Sequence, residues 1–172
     1  MATPDGAAPR LRAYDPEADA AWLLALNNAH AAEVGETTAD HLGRLTAAAF
    51  AVRIAERSEG PAGALIGLTR GLDYDSLNYR WFVTRDDAPF LYVDRVIVAP
   101  EAKGLGIGRM LYEDAFGLAR KAGIARVVCE VNERPPNPVS MAFHERMGFS
   151  ALETRENAQS SKRVVMMEKR LA

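Results

Sequence analysis

Residues 103–111 read KGLGIGRML, with Gly104, Gly106 and Gly108 at alternate positions where a run rich in Val and Ile gives way to a helical pattern. Glycine costs order in any regular element, so three of them at such a junction imply either an unusual backbone or a close approach to it. Loop amides and the first N–H groups of a helix together form a concavity that favours an anion, typically a phosphate. Residues without side chains would let a diphosphate lie on that backbone, and Lys103 and Arg109 would add positive charge. A tight turn followed by close helix packing would use glycine equally well. Two common phosphate loops do not fit. A Walker A loop needs Gly-Lys-Ser/Thr, whereas Gly104 is followed by Leu105, Gly106, Ile107 and Gly108. A dinucleotide fingerprint needs GxGxxG after an early strand, and this stretch falls two-thirds of the way along the chain with too few strands after it. The chemistry to explain is that of a different phosphate-bearing cofactor.

Titratable groups flank this loop. In FLYVDRVIVA, Asp94 alternates with Val96 and Val98, which places its carboxylate on the same strand face as theirs, with pairing to Arg95 as the competing role. Cys129, the single cysteine, lies in an apolar run and reads as core filler. It leaves no intrachain disulfide framework and, with no Cys/His pairs at metal spacing, no structural zinc site.

The elements that must position these groups follow from periodicity. Arg10 to Tyr14 reads as a strand, and Asp15-Pro16 opens a helix through Val34 with Trp22, Leu23, Leu26 and Ala29 on one stripe. Thr38 to Ala47 reads as a second helix. The runs 50–57 and 61–70 form a hairpin, and 71–89 reads as a long polar and aromatic loop, a length that is commonly functional. The strand over 90–99, the helix carrying Ile107, Leu111, Ala115 and Leu118, and the strand over 126–131 make a crossover unit with near-neighbour parallel strands. Asn137 caps a last helix with Pro138 in its first turn and Gly148 after its end, and two antiparallel strands close the chain. The fold class is α/β with a mixed sheet.

The chain has 172 residues, 48% of them apolar, and 21 basic against 23 acidic side chains. This fits one domain over residues 10–171 after a loose tail at 1–9, and the charge balance argues against a nucleic-acid or anionic membrane partner. The N-terminus lacks a secretory pattern, no window could span a bilayer, and the cytoplasm is the expected compartment.

Two motifs in order resemble the GCN5-related N-acetyltransferase (GNAT) superfamily. VDRVIVAPEAKGLGIGRML resembles its acetyl-CoA loop, with Lys103 where the family has Gln or Arg, and with Gly106 and Gly108 at the glycine positions. NPVSMAFHERMGF resembles its second signature through Asn137, Ser140, Phe143, His144, Gly148 and Phe149. The resemblance implies a GNAT-like mixed sheet flanked by helices, whose two central parallel strands splay apart to admit the pantetheine arm of acetyl-CoA. It also implies backbone contacts to that arm from the strand segment Val96, Ile97 and Val98. The amides of Gly104, Leu105, Gly106, Ile107, Gly108 and Arg109 would bind the diphosphate, with Lys103 beside them. Asn137, Ser140 and Phe143 would contact the cofactor, Asn137 having an equal claim as a helix cap.

By the same resemblance an amine attacks the thioester directly in a ternary complex, Asp94 takes its proton, and His144 serves as acid or contact where the family often has Tyr. Glu33, Glu130 and His30 are weaker candidates for the base. The segment 71–89 would border the acceptor, with Tyr74, Tyr79, Trp81 and Phe82 as an aromatic wall, and Asp73 and Asp75 are the acidic residues there. A small-molecule amine or amino acid is the expected acceptor and a monomer or homodimer the expected state. A protein N-terminal or lysine acetyltransferase, or a non-catalytic acyl-CoA-binding or sensor protein, are the alternatives.

Overall fold

The computed structural model describes residues 8–158 and 160–172. Residues 1–7 of the expected tail lie outside the described residues. Strand β1 (Arg10–Ala13) leads into α1 (Pro16–Ala29), which Asp15 caps by accepting from the Glu17 N–H at 3.0 Å. The buried stripe of α1 is Asp19, Leu23, Leu26 and Asn27, while Trp22 is half-buried and Ala29 exposed. Its two polar members are satisfied: Asp19 accepts from Arg12 at 2.6 and 2.8 Å, and Asn27 donates to the Gly35 carbonyl at 2.9 Å. The expected continuous helix breaks at His30, whose ring Nδ1 bonds the Leu26 carbonyl at 2.9 Å. A short α2 (Ala31–Val34) follows, then α3 (Ala39–Ala48), capped by Thr38.

Strands β2 (Ala51–Arg57) and β3 (Gly60–Thr69) form the expected antiparallel hairpin. The segment read as a loop then contains a helix, α4 (Leu77–Arg85). Ser76 caps it by accepting from the Tyr79 N–H at 3.2 Å, and Tyr79 and Phe82, three residues apart, are buried. Aromatic residues are poor helix formers in isolation, and here packing overrides propensity. The Tyr79 ring meets Phe90 and Tyr92 edge-on at 5.9 and 5.5 Å.

Strand β4 (Leu91–Val98), a single 3-10 turn (Pro100–Ala102), α5 (Ile107–Lys121) and β5 (Arg126–Arg134) make the crossover. Helix α6 (Pro138–Arg146) precedes β6 (Ser150–Glu156) and β7 (Arg163–Arg170). The strands are ordered β1-β2-β3-β4-β5-β7-β6 in one sheet; β1–β2, β2–β3, β5–β7 and β6–β7 pair antiparallel, and β4 pairs parallel with β5. That parallel ladder joins Leu91 to Val127 and Tyr92 to Val128, at the start of both strands.

Two compact units divide the chain. The first, residues up to 67 with 95–115, holds β1 and β2, most of β3, α1 to α3, the second half of β4 and the start of α5. Its core includes Leu23, Ile54, Leu65, Ile97, Ile107 and Leu111. The second, 68–94 with 116–172, holds α4, the first half of β4, the end of α5 and all that follows. Its core gathers Tyr79, Phe82, Phe90, Tyr92, Val127 and Met166. Beneath them the buried Arg126 guanidinium binds Asp86 at 2.8 and 2.9 Å and Glu168 at 3.2 Å. Among the described residues no helix is long and apolar enough to cross a membrane.

Candidate active site

The glycine loop belongs to the first unit. Gly104 and Gly106 have φ of +80° and +78°, a left-handed region that other residues occupy only with strain, and a Cβ on either would meet nothing within 4 Å. Glycine is therefore required by the backbone here, while the space beside it stays open. Gly108 is different: it lies within α5. The Met110 N–H closes the first helical bond on the Gly106 carbonyl at 3.0 Å, so the N–H groups of Ile107, Gly108 and Arg109 lie before the first intrahelical donor. Lys103, Leu105 and Arg109 are exposed, and Arg109 pairs with Glu113 at 2.7 Å. At this junction the unusual backbone is the use of glycine that the structure shows. Gly63 of β3 supplies the close packing: a Cβ there would come within 2.7 Å of Ile107 Cγ2 and 3.1 Å of the Ile97 carbonyl.

Along β4, Val93, Arg95, Ile97 and Ala99 are buried, whereas Asp94, Val96 and Val98 are half-buried on the other face. Arg95 therefore points away from Asp94, and it donates to Asn27 in the first unit. Open space at the two left-handed glycines, a helix end of outward N–H groups and a partly open strand face fit a linear cofactor that ends in a diphosphate.

The second unit carries the titratable cluster. Asp94 accepts from the Tyr74 hydroxyl at 2.7 Å, and the Tyr74 ring packs edge-on to Tyr79 at 5.6 Å. Glu130, on β5, accepts from the Tyr92 hydroxyl at 2.9 and 2.8 Å and also bonds the Asn78 side chain. Burial pushes its carboxyl up to about 7, and the nearby charge of Asp94 pushes the same way against the hydrogen bonds. Burial and then the Glu130 charge hold the Tyr92 phenol well above its ordinary value. Glu130 is one of three weaker candidates for the base by sequence, and its hydrogen bonds to Tyr92 and Asn78 set it apart from Glu33 and His30. Glu33 is exposed on α2, and His30 closes α1.

On α6, Asn137 acts as the cap, its side chain accepting from the Ser140 N–H at 3.2 Å. Phe143 is half-buried and edge-on to His144 at 5.3 Å. His144 is buried, 4% exposed, on the inner side of α6. Its Nδ1 lies 2.8 Å from the Ser140 carbonyl, an acceptor only, so Nδ1 carries the proton. Burial lowers the imidazole below its ordinary value, which favours the neutral ring with Nε2 as the basic nitrogen.

The aromatic wall expected over 71–89 is only partly built. Tyr79 and Phe82 are core, 1% and 0% exposed, while Tyr74 and Trp81 keep some surface. Sequence reasoning missed Tyr92 and Asn78 altogether. Tyr92 had a signal, since it alternates with Asp94 on the same strand; Asn78 had none without the helix that carries it.

The family model for the acetyltransferase (GNAT) family matches residues 17–149. Glucosamine 6-phosphate N-acetyltransferase from Trypanosoma brucei brucei is 28% identical over 93 residues, which covers 54% of this chain and 56% of that protein. The likeness thus spans just over half the length of that relative. Among solved structures, Ard1 from Thermoplasma volcanium superposes with a TM-score of 0.76 at 15% identity, over 96% of this chain and 99% of that one. The ribosomal-protein-alanine N-acetyltransferase from Brucella melitensis gives 0.69 at 24% identity, over 94% and 99%. YncA from Salmonella typhimurium, solved with its cofactor acetyl-CoA, gives 0.70 at 19% identity, over 96% and 95%.

Proposed function

The chain belongs to the acetyltransferase (GNAT) family, and we propose that it transfers an acetyl group from acetyl-CoA to a primary amine of a small molecule, with Glu130 as the base. The single observation that carries this reading is the setting of Glu130 on β5, where it accepts from the Tyr92 hydroxyl at 2.9 and 2.8 Å with Asp94 nearby and burial pushes its carboxyl up to about 7. An alkyl amine is mostly protonated at neutral pH, as lysine is with a pKa of about 10.4, and must lose a proton to become a nucleophile. A carboxylate near 7 takes that proton, directly or through a water, far better than one at an ordinary value of about 4.3.

Acetyl-CoA, when bound, supplies an acetyl group activated as a thioester. The amides of Gly104 to Arg109, with Lys103, would hold its diphosphate, and the backbone of Val96, Ile97 and Val98 would align the arm. Asn137, Ser140 and Phe143 would contact it. A backbone N–H near Val98 would face the thioester carbonyl oxygen, and alignment of the amine would contribute much of the acceleration. Asp94, held by Tyr74, tunes Glu130 rather than replacing it. His144 acts as a contact: with Nδ1–H donated to Ser140, its Nε2 receives a hydrogen bond instead of giving a proton. A thiolate whose acid lies near 8.5 can depart without a dedicated acid close to neutrality.

The test is an acceptor panel of small amines, amino acids and peptides followed by free thiol release, with thioester hydrolysis subtracted. Small-amine acetylation that rises with pH through about 7 is expected. Acetyl-CoA binding with no transfer to any amine would instead support a binding module, and turnover on peptides alone would support a protein acetyltransferase.

A further inference from the structure

The second unit contains a cavity of about 360 Å³ between α4 and the β6–β7 hairpin. That lies within the roughly 300–1,000 Å³ usual for small-molecule sites. Asn78, Arg80 and Trp81 line it from α4, and Arg155, Glu156 and Asn157 from the hairpin. The lining carries two guanidinium groups, Arg80 and Arg155, against one carboxylate, Glu156, which pairs with Arg134 at 3.3 Å. The ion pairs these two make are solvent-exposed. Arg80 pairs at 3.1 Å with an Asp75 side chain that is 92% exposed and also donates to the Tyr74 carbonyl at 3.2 Å, and Arg155 reaches Glu153 at 3.6 Å. Exposed pairs of this kind exchange readily for another anion. Arg155 is also oriented by stacking over the Trp81 ring, 5.5 Å from its centroid. Guanidinium presents paired N–H groups that match a carboxylate or phosphate.

Asn78 connects this cavity to the chemistry, because it lines the cavity and hydrogen-bonds Glu130. Asn78 thus stands between the space and the proposed base, and the two guanidinium groups lie elsewhere on the lining. We propose that the cavity is the acceptor subsite and selects a small primary amine bearing a carboxylate or phosphate, its amine toward Glu130 and its anion on Arg80 and Arg155. This rests on the transferase reading above. The acidic residues that sequence offered for an acceptor lining, Asp73 and Asp75, are not among the residues lining the cavity.

The probes are O-phosphoethanolamine and β-alanine against the neutral amines ethanolamine and propylamine. Titrated by calorimetry into protein saturated with CoA, the anionic amines should bind at least tenfold more tightly. The double variant Arg80→Gln, Arg155→Gln should abolish that preference while acetyl-CoA affinity stays unchanged, and Arg155→Lys should restore part of it for the single Arg155→Gln variant. Equal binding of charged and neutral amines, no binding of either, or a preference that survives the double variant would overturn the proposal. Thiol release with the same amines separates the two readings. Transfer without charge preference removes the anionic subsite and keeps the transferase, whereas charge-selective binding without transfer keeps the subsite and removes the transferase.

Discussion

Replacing Glu130 with glutamine should stabilise the fold at alkaline pH while it disables transfer. The carboxyl is raised from 4.5 to about 7, so the folded state holds its proton more tightly than the unfolded chain. Between those two values folding becomes less favourable as pH rises; the penalty is absent below the lower value and complete above the upper one. At about 1.4 kcal/mol per pKa unit the full penalty is about 3 kcal/mol, an upper bound for a half-buried side chain. Glutamine keeps the size and one carbonyl acceptor for the Tyr92 hydroxyl but carries no charge to desolvate. Urea unfolding of both proteins at pH 5 and pH 8 should therefore show the variant gaining on the native protein by up to about 3 kcal/mol between the two conditions. In melting temperature that is roughly 2–4 °C for each kcal/mol in a chain of this size. Turnover should fall by about 10²–10⁴, the usual worth of a general base. Opposite signs for stability and activity are what a site kept charged at a cost should give. A stability difference that does not change with pH would refute the raised carboxyl, and unchanged turnover would refute its role.

Three further outcomes follow. Asp94→Asn removes a charge that raises Glu130, so the acid limb of kcat/KM should move to lower pH with turnover retained; collapse of turnover with an unmoved limb would make Asp94 the base. Gly106→Ala and Gly123→Ala both place a side chain at positive φ in open space and should each cost about 1–2 kcal/mol in stability. Only Gly106→Ala should weaken acetyl-CoA binding, by tenfold or more in calorimetry, and equal affinities would remove the diphosphate assignment. Because burial lowers the His144 imidazole, its contribution to stability is complete above the unfolded value of 6.5 and is lost as pH falls through the lower folded value. His144→Phe should flatten that acid sensitivity in melts between pH 7.5 and 5, and an unaltered slope would show that another group carries it.

The elements around the glycine loop were legible because periodicity and punctuation agree there. Alternation along β4 announces a half-buried strand, Gly106 ends a loop at a positive φ that favours glycine, and Asn137-Pro138 opens α6 with a cap that the structure shows working. α4 was not legible, since its aromatic residues argue against a helix until Tyr79 and Phe82 are seen buried. The base was obscured for a different reason. Sequence shows that Glu130 is a carboxylate in a strand, but its proton affinity depends on Tyr92, Asn78 and Asp94, brought to it from other elements. His144 shows the same limit: its tautomer is set by a backbone carbonyl one helical turn away.

Helix α4 is clasped at its own base. Arg70, just beyond β3, donates to the Val83 and Asp86 carbonyls at 2.8 and 2.6 Å and pairs with Asp87 at 3.0 Å, so the excursion between β3 and β4 is closed on itself. Asn78, Arg80 and Trp81 all ride on this piece, whereas Glu130 and the glycine loop lie outside it. The clasp does not make the piece separable: Tyr79 and Phe82 are core, Arg126 of β5 holds Asp86, and Tyr74 holds Asp94 of β4, so a change in the excursion is felt by both parallel strands.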